Sequence, residues 1–321
     1  MLAAAREIKI GGAFVSKTPL LVPSFSSKGF PEVAKIIETL SGTITGSTLI
    51  SAYDVANNYV PTPPTFPSFF ILDSGGYESS KDTELSDTRA NNYAEHPWTV
   101  DQLQAVWDKW NPQQPTIAVS YDHPKHRDSL ANQIARAKEL FQGRPFGREI
   151  LLKPITTDAV RIPHKEIVAS IHDLRDFDVI GFTEKELGFS LYDRMKKIAE
   201  VRNALTSIGL KTPIHIFGSL DTISTPLYFL AGADIFDGLT WLRYAYVDDQ
   251  AVYGRNASAL NHGIHMNDQG IDARIWADNY QRIEDLQLKM KRFLKEKDYN
   301  VFGARLGQFF DESIKSLAAE L

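Results

Sequence analysis

Three aspartates close short apolar runs: Asp73 in FILDSGGYE, Asp122 in IAVSYDHP and Asp237 in IFDGLTWLR. Aspartate is depleted within strands, so this repeated placement marks all three as candidates for chemistry, although each also stands where it can cap a following helix. Carboxylates gathered at one site can divide the breaking of a glycosidic bond between them. One, under the anomeric carbon, stabilises or captures the positive charge that builds on the sugar. A second, with a different pKa, handles the proton. A third that stays ionised accepts hydrogen bonds from N–H donors of a ligand. Other candidates stand at comparable places: Lys153 in LLKP, Glu184 and Glu186 in GFTEKE, Phe217 and Gly218 in HIFGS, and Arg243 six residues beyond Asp237. After Asp73, the pair Gly75 and Gly76 lets backbone approach a planar ligand, with Tyr77 placed to stack on it.

These residues need a scaffold that brings the ends of separate runs together. Eight apolar runs, at 20–23, 48–52, 69–73, 116–121, 149–153, 178–182, 214–217 and 234–239, are rich in Ile, Val, Leu and Phe, as strands buried on both faces are. Helical patterns alternate with them. The clearest, over 190–208, places Leu191, Met195, Ile198, Val201, Leu205 and Ile208 in one stripe. Leu103, Val106, Trp107 and Trp110 form a second stripe, and Leu130, Ile134, Ala137 and Phe141 a third. Ser219 and Asp221 read as a helix start, and the proline-rich 61–67 as a loop leading into a strand. The rhythm predicts an α/β fold, a (β/α)8 TIM barrel with a C-terminal helical appendage, whose active site gathers at the C-terminal ends of the strands. An open doubly wound sheet is the alternative. The chain is expected to form a single domain: a hairpin over about 1–18, the barrel over about 19–247 and the appendage over about 248–321. Within the appendage, a polar stretch over about 248–272 precedes a long helix from about 275 to 296 and a final helix from about 304.

Composition narrows the classes. Of 321 residues, 43% are hydrophobic and 23% charged, which excludes a mostly disordered chain. No run approaches the roughly 20 apolar residues of a membrane span, and the start, MLAAAREIKIGG, lacks the basic region of a signal peptide. Cysteine is absent, which removes disulfides, thiolate nucleophiles and Cys-ligated metals and fits a cytoplasmic protein. With a net charge of −5, a nucleic-acid partner has to meet a local basic patch. Lys289, Lys291, Arg292, Lys295 and Lys297 offer one, and equally read as an ordinary solvated helix face. The string DSGG also occurs around the nucleophile of trypsin-like proteases, but here it follows a parallel-type strand and no Ser/His/Asp set in that order is evident.

LDSGGYE resembles the motif with which tRNA-guanine transglycosylases end a barrel strand, Asp-Ser-Gly-Gly-aromatic-Gln, and FDGLTWLR is similar to their Phe-Asp-Cys…Thr-Arg motif. VSYDHP resembles their strand ending in Phe-Asp-Glu. The opening GGAFVSKTPLLVPSFSSKGFPEVAKII and the later WADNYQRIEDLQLKMKRFL resemble the family's N-terminal hairpin with first strand and its C-terminal helix, so the likeness runs along nearly the whole chain. The resemblance implies exchange of a guanine or 7-deazaguanine base at a nucleoside C1′ in tRNA or DNA. It implies that Asp237 is the nucleophile, Asp73 the general acid/base and Asp122 the acceptor for the base edge. Tyr77 and Phe217 would stack on the base, Gly75, Gly76, Gly181 and Gly218 would lie against it, Lys153 would meet its carbonyl, and Arg243 would orient the ribose or polynucleotide.

The sequence also departs from the family. Three Cys and a His hold the family's zinc, and this chain has no Cys, so neither a metal nor a cofactor is expected. His262 and His265, and likewise His123 and His126, have a spacing that suits a metal, and read first as ordinary surface histidines. The family's Gln after the aromatic is Glu78 here. Its base-reading Gln corresponds to Lys153, which either donates to the same oxygen or pairs with Asp122. The family's paired glycines become Gly181-Phe182, and Phe182 either narrows the pocket or packs in the barrel. Zinc-free relatives resemble those encoded beside bacterial antiviral operons, which suggests a defence context. Two other classes stay open: a deazaguanine-binding protein without turnover, and a nucleoside or glycoside hydrolase. Self-association through the family's zinc region is not assumed.

Overall fold

The computed structural model describes residues 2–60, 63–80, 95–123 and 126–321. Chain order opens with an antiparallel hairpin, β1 (Glu7–Ile10) and β2 (Ala13–Lys17). Eight parallel strands follow: β3 (Leu20–Phe25), β4 (Thr48–Ser51), β5 (Phe70–Asp73), β6 (Thr116–Val119), β7 (Gly147–Leu152), β8 (Val179–Thr183), β9 (Ile214–Phe217) and β10 (Ile235–Gly238). They close into a barrel, with β10 pairing to β3 through Ile235↔Leu20 and Asp237↔Val22. This is the expected TIM barrel, and closure excludes the open doubly wound sheet. Of the proline-rich segment, residues 61–62 lie outside the described ones; 63–67 carry no helix or strand and lead towards β5.

Two apolar layers account for the strand sequences. Leu20, Val22, Leu49, Phe69, Ile71, Ile117, Val119, Leu151, Val179, Phe217 and Ile235 fill the barrel interior, joined by Ile8 of the hairpin. The alternate residues, such as Leu21, Phe70, Leu72, Ile150, Leu152, Ile214, Ile216 and Phe236, pack outward against the helices. Successive strand side chains point to opposite faces, so the inward rows can be followed to their ends. The row Phe69–Ile71 continues to Asp73, Leu151 to Lys153, Val22 to Ser24 and Ile235 to Asp237. Phe182, buried and on the outward row with Ile180, belongs to barrel packing.

The helices match the apolar stripes closely, notably Leu130–Phe141 and Leu191–Ser207. The helix expected near Ser219 begins later, at Ser224, after a turn in which Asp221 Oδ1 accepts the N–H groups of Ile223 and Ser224 at 2.7 Å each. The polar stretch 248–272 is more ordered than its composition suggests. It contributes to a short hairpin, β11 (Ala245–Val247) with β12 (Gln250–Val252), and holds a helix, Gly254–His262. The long helix begins at Asp268, seven residues before the expected start, because the Asn267 side chain caps it by accepting from Gly270 N at 2.8 Å. From this Asp268–Glu296 helix, Asn279 Nδ2 donates to the carbonyls of Trp241 and Tyr244 at 2.6 Å each, and its Oδ1 accepts from Tyr246 N at 2.8 Å. The appendage thus grips the segment after β10 that carries Arg243. The final helix spans Ala304–Ala318. Among the described residues, no helix is long and apolar enough to cross a membrane.

Candidate active site

At the C-terminal mouth of the barrel lies a cavity of about 460 Å3. Its walls include Asp73, Gly76, Tyr77, Asp122, Lys153, Glu184, Glu186, Phe217, Gly218, Asp237 and Arg243, eleven of the candidates singled out in the sequence, together with Ser24, Glu78, Arg127 and Lys185. The inward rows of the strands deliver Ser24, Asp73, Lys153, Phe217 and Asp237, and the loops and short helices beyond them, Glu184–Leu187 and Thr240–Arg243 among these, deliver the rest.

Asp237 and Asp73 have unlike surroundings. Asp237 sits in a ring of donors. Ser24 Oγ donates to its Oδ2 at 2.6 Å, Gly218 N donates to Oδ1 at 3.2 Å, and His215 Nε2 lies 3.2 Å from Oδ1. Asp73 accepts from backbone only: Gly75 N donates to its Oδ2 at 3.0 Å, and the Ser74 N–H contributes more weakly. Burial, then the nearby Glu78 and Asp237 carboxylates, outweigh these bonds and raise Asp73 to about 7. A carboxyl with a pKa there is matched to taking and giving a proton at neutral pH.

Glu78 is the first residue that sequence reasoning undervalued. It is buried, accepts from Ser26 Oγ at 2.5 Å and from Ser51 Oγ at 2.8 Å, and burial raises its pKa. The buried Lys28 is the second. Its Nζ donates to Tyr77 O at 2.9 Å and Ser80 O at 2.8 Å and lies 4.6 Å from the centre of the Tyr77 ring. Burial lowers Lys28 to about 8, against the pull of Glu78. Together with the bond from Arg243 Nη2 to Tyr77 Oη at 3.1 Å, these contacts set the aromatic wall.

Opposite charges crowd the other side. Lys153 Nζ pairs with Glu186 at 2.6 Å and with Asp122 at 3.4 Å, and donates to Thr183 Oγ1 at 3.2 Å. Burial works against the Lys153 charge, but Asp122 and Glu186 outweigh it and raise the ammonium's pKa. Arg127 Nη1 holds the other Asp122 oxygen at 3.0 Å. Of the two roles open to Lys153, pairing with acidic neighbours is the one its geometry displays. Glu184 is held by Tyr228 Oη at 2.7 Å and Arg194 at 3.0 Å, and burial raises its pKa.

The glycines divide by function. Gly76 faces Asp122: a Cβ there would lie 2.7 Å from Asp122 Oδ2, so the missing side chain makes room for that carboxylate. Gly75 does not line the cavity. It has φ +87, and a Cβ would lie 2.6 Å from Tyr53 Cβ, so its place is the turn that presents its N–H to Asp73. Gly181 does not reach the cavity either; it lies on the inward row of β8, below Phe217.

Among the described residues no group of three or more His, Asp or Glu could hold a metal ion. His123 Nδ1 accepts the His126 N–H at 3.0 Å, and His262 Nε2 lies 3.4 Å from Asp278. The basic stripe of the long helix contributes nothing to the cavity walls, and its Arg292 donates to Glu296 at 2.6 Å.

Sequence reasoning missed Glu149 and His215, both buried inside the barrel. The signal was alternation. EILLK places Glu149 on the row of Leu151 and Lys153, and IHIF places His215 on the row of Phe217. A charged residue on the inner row of a buried strand is expensive unless paired. No protein-family model matches the chain, and no curated protein matches it.

Proposed function

We propose that this protein is a transglycosylase-like enzyme that exchanges a guanine or 7-deazaguanine base at a nucleoside C1′ in nucleic acid, as a divergent, zinc-free relative of the tRNA-guanine transglycosylases. The observation that carries the reading is the contrast between two carboxyl groups in one cavity: Asp237 held by donors, and Asp73 raised to about 7 by burial beside Glu78 and Asp237. Asp237 attacks C1′, the bond from C1′ to the base nitrogen breaks, and its electron pair leaves with the base, which takes the proton of Asp73. The incoming base then gives its N–H proton to Asp73 and attacks C1′, and the Asp237 carboxylate departs. Tyr77 and Phe217 supply aromatic surface to a flat base, which must be flipped out of a polymer to reach them. Arg243 and Lys185 supply positive charge in the cavity walls for ribose or phosphate. The polymer is tRNA or DNA.

A second reading, a deazaguanine-binding protein without turnover, gains support from one observation. Asp122, the carboxylate for the base edge, is already engaged by Arg127 and Lys153. Calorimetric titration with guanine, preQ0, preQ1 and queuine, followed by labelled-base exchange into bulk tRNA and duplex DNA, separates the readings. Incorporation that disappears in Asp237→Asn supports the enzyme. Binding without incorporation supports the binder. Release of free base to water in place of exchange marks a hydrolase.

A further inference from the structure

We propose that Glu149 and His215 form a buried relay behind Asp237 that fixes the orientation and charge of that carboxylate and eases its departure from C1′ in the second half of the exchange. The inference rests on the reading of Asp237 as nucleophile. Both residues act through Asp237 and are positioning residues.

The geometry is a chain across four strands. Glu149 Oε1 lies 2.7 Å from His215 Nδ1, and His215 Nε2 lies 3.2 Å from Asp237 Oδ1, the latter an ion-pair contact off the line of an ideal hydrogen bond. Glu149 and His215 are both 0% exposed. His215 and Asp237 stand on adjacent strands, where His215 pairs with Ile235. Glu149 stands on β7, with β8 between it and His215. The residue of β8 paired with His215 is Gly181. A Cβ at Gly181 would lie 3.0 Å from Glu149 Oε1 and 2.6 Å from the Phe217 ring. The glycine therefore opens the path by which a carboxylate on one strand reaches an imidazole two strands away. The layers of a barrel interior are ordinarily apolar, and buried ionisable groups are costly unless paired. Here the groups meet in sequence and end on an aspartate that faces the cavity.

An imidazole between two carboxylates is suited to carry a proton on each nitrogen. Burial pushes His215 towards its neutral form, but Glu149 and Asp237 outweigh it and raise the group to about 9. Glu149 and Asp237 are the charged groups that face it, and the Phe217 ring covers one side with centroids 3.9 Å apart. When the incoming base attacks C1′, the bond from C1′ to the Asp237 oxygen breaks and its electron pair returns to the carboxylate. The new negative charge meets the imidazolium, the Gly218 N–H and the Ser24 hydroxyl. Glu149 balances the imidazolium throughout, so no proton leaves the relay. The proton of the incoming base goes to Asp73.

Glu149→Gln keeps the shape and removes the balancing charge, and His215→Asn identifies the imidazole resonances. The first readout is a side-chain nitrogen NMR titration of the free protein, without substrate. His215 is expected to stay charged through pH 8 in the wild type and to titrate at least one pH unit lower in Glu149→Gln. The second is rapid-quench analysis with labelled guanine and whichever of bulk tRNA or duplex DNA the wild type accepts. Release of the protein–polymer adduct is expected to slow at least tenfold more than its formation in Glu149→Gln, so that the adduct accumulates on a denaturing gel. Gly181→Ala, which blocks the path without removing a charge, is expected to reproduce both effects more weakly. A neutral His215 at pH 7 in the wild type overturns the relay, as do unchanged adduct formation and release in Glu149→Gln. Absence of exchange by the wild type overturns the base-exchange reading and the second-half role with it, while the NMR titration still decides whether the charged relay exists.

Discussion

Ser24 Oγ, on the first barrel strand, donates a 2.6 Å hydrogen bond to Asp237 Oδ2, on the last. The same hydroxyl oxygen accepts from Gly238 N at 3.2 Å, so one side chain ties the candidate nucleophile to the seam where the barrel closes. A hydrogen bond to a charged group contributes about 1.5–3 kcal/mol. Ser24→Ala is expected to lower the rate of exchange about ten- to a hundredfold, with base binding retained because the proposed stacking surfaces are Tyr77 and Phe217. Steady-state kinetics set beside calorimetry on the free base check this; an unchanged rate removes Ser24 from the site's working parts.

The raised carboxyl of Asp73 makes a pH prediction with a definite sign. Its folded pKa, about 7, lies above the usual 3.8. Protonated Asp73 is thus the form that the fold favours, and its contribution to stability is full below about pH 4 and lost as the pH rises through 7. Glu78 and Asp54, both buried and raised, act in the same direction. Asp73→Asn removes the charge at constant shape. It is expected to abolish exchange while stabilising the protein at pH 8 by a few kcal/mol, at roughly 1.4 kcal/mol per pKa unit, with no gain at pH 4. Denaturant titrations at the two pH values read this directly. Equal effects at both would show that Asp73 is not held protonated by its surroundings. On the proposed mechanism the group is an acid in one half-reaction and a base in the other, so exchange is expected to peak near pH 7.

Two adjacent glycines are expected to separate base binding from folding. Alanine at Gly76 would place its Cβ 2.7 Å from Asp122 Oδ2 and 3.0 Å from Asp122 Cβ, so the strain falls on Asp122 and its contacts with Arg127 and Lys153. Gly76→Ala is expected to leave the fold intact and weaken base binding about tenfold or more, in line with displacing a charge-assisted contact. Gly75→Ala instead meets Tyr53 Cβ at 2.6 Å in a left-handed backbone conformation, and both strain and clash fall on the loop itself. It should lower the melting temperature markedly. Thermal melts and calorimetry on the two variants give opposite patterns if the assignment holds, and matching patterns if both glycines serve the turn alone.

Much of this architecture was legible because a (β/α)8 barrel writes the same signal eight times. The run IFDG and the run FILD are apolar, short and followed by turns, and the strands they predict differ from those observed by at most one residue at either end. The three aspartates were legible because a carboxylate after an apolar run is conspicuous. Glu149 and His215 were not noticed, since EILLK and IHIF look like apolar strands with one tolerated polar residue. Only the closed barrel shows that both side chains point inward to the same place. Gly181 was read as part of the base pocket on the strength of resemblance, and its physical role is the space it leaves beside Phe217 and Glu149. The helix over Gly254–His262 was illegible for another reason: its stripe is short and mostly polar, with only Ala257 and Ser258 buried.

Lys153 offers the most demanding test, because one ammonium holds two carboxylates. The ammonium stands 2.6 Å from Glu186 and 3.4 Å from Asp122, with Arg127 the remaining cation on Asp122. Lys153→Met leaves Glu186 to Arg127 Nη2, 3.9 Å away, and losing the closer partner of a buried pair is expected to cost up to about 3 kcal/mol. Replacing both members with apolar residues removes the weakly paired charge, so Lys153→Met with Glu186→Leu is expected to recover most of that loss. Base binding should not recover in parallel. The double variant restores packing, but Asp122 then keeps only Arg127 as a counterion, and the donors of the base edge meet a less restrained carboxylate. Denaturant unfolding and calorimetry on the two single variants and the double variant close the cycle. Additive stability losses would mean that the Lys153–Glu186 contact contributes nothing. Recovery of stability without recovery of affinity would place Lys153 in both the fold and the site.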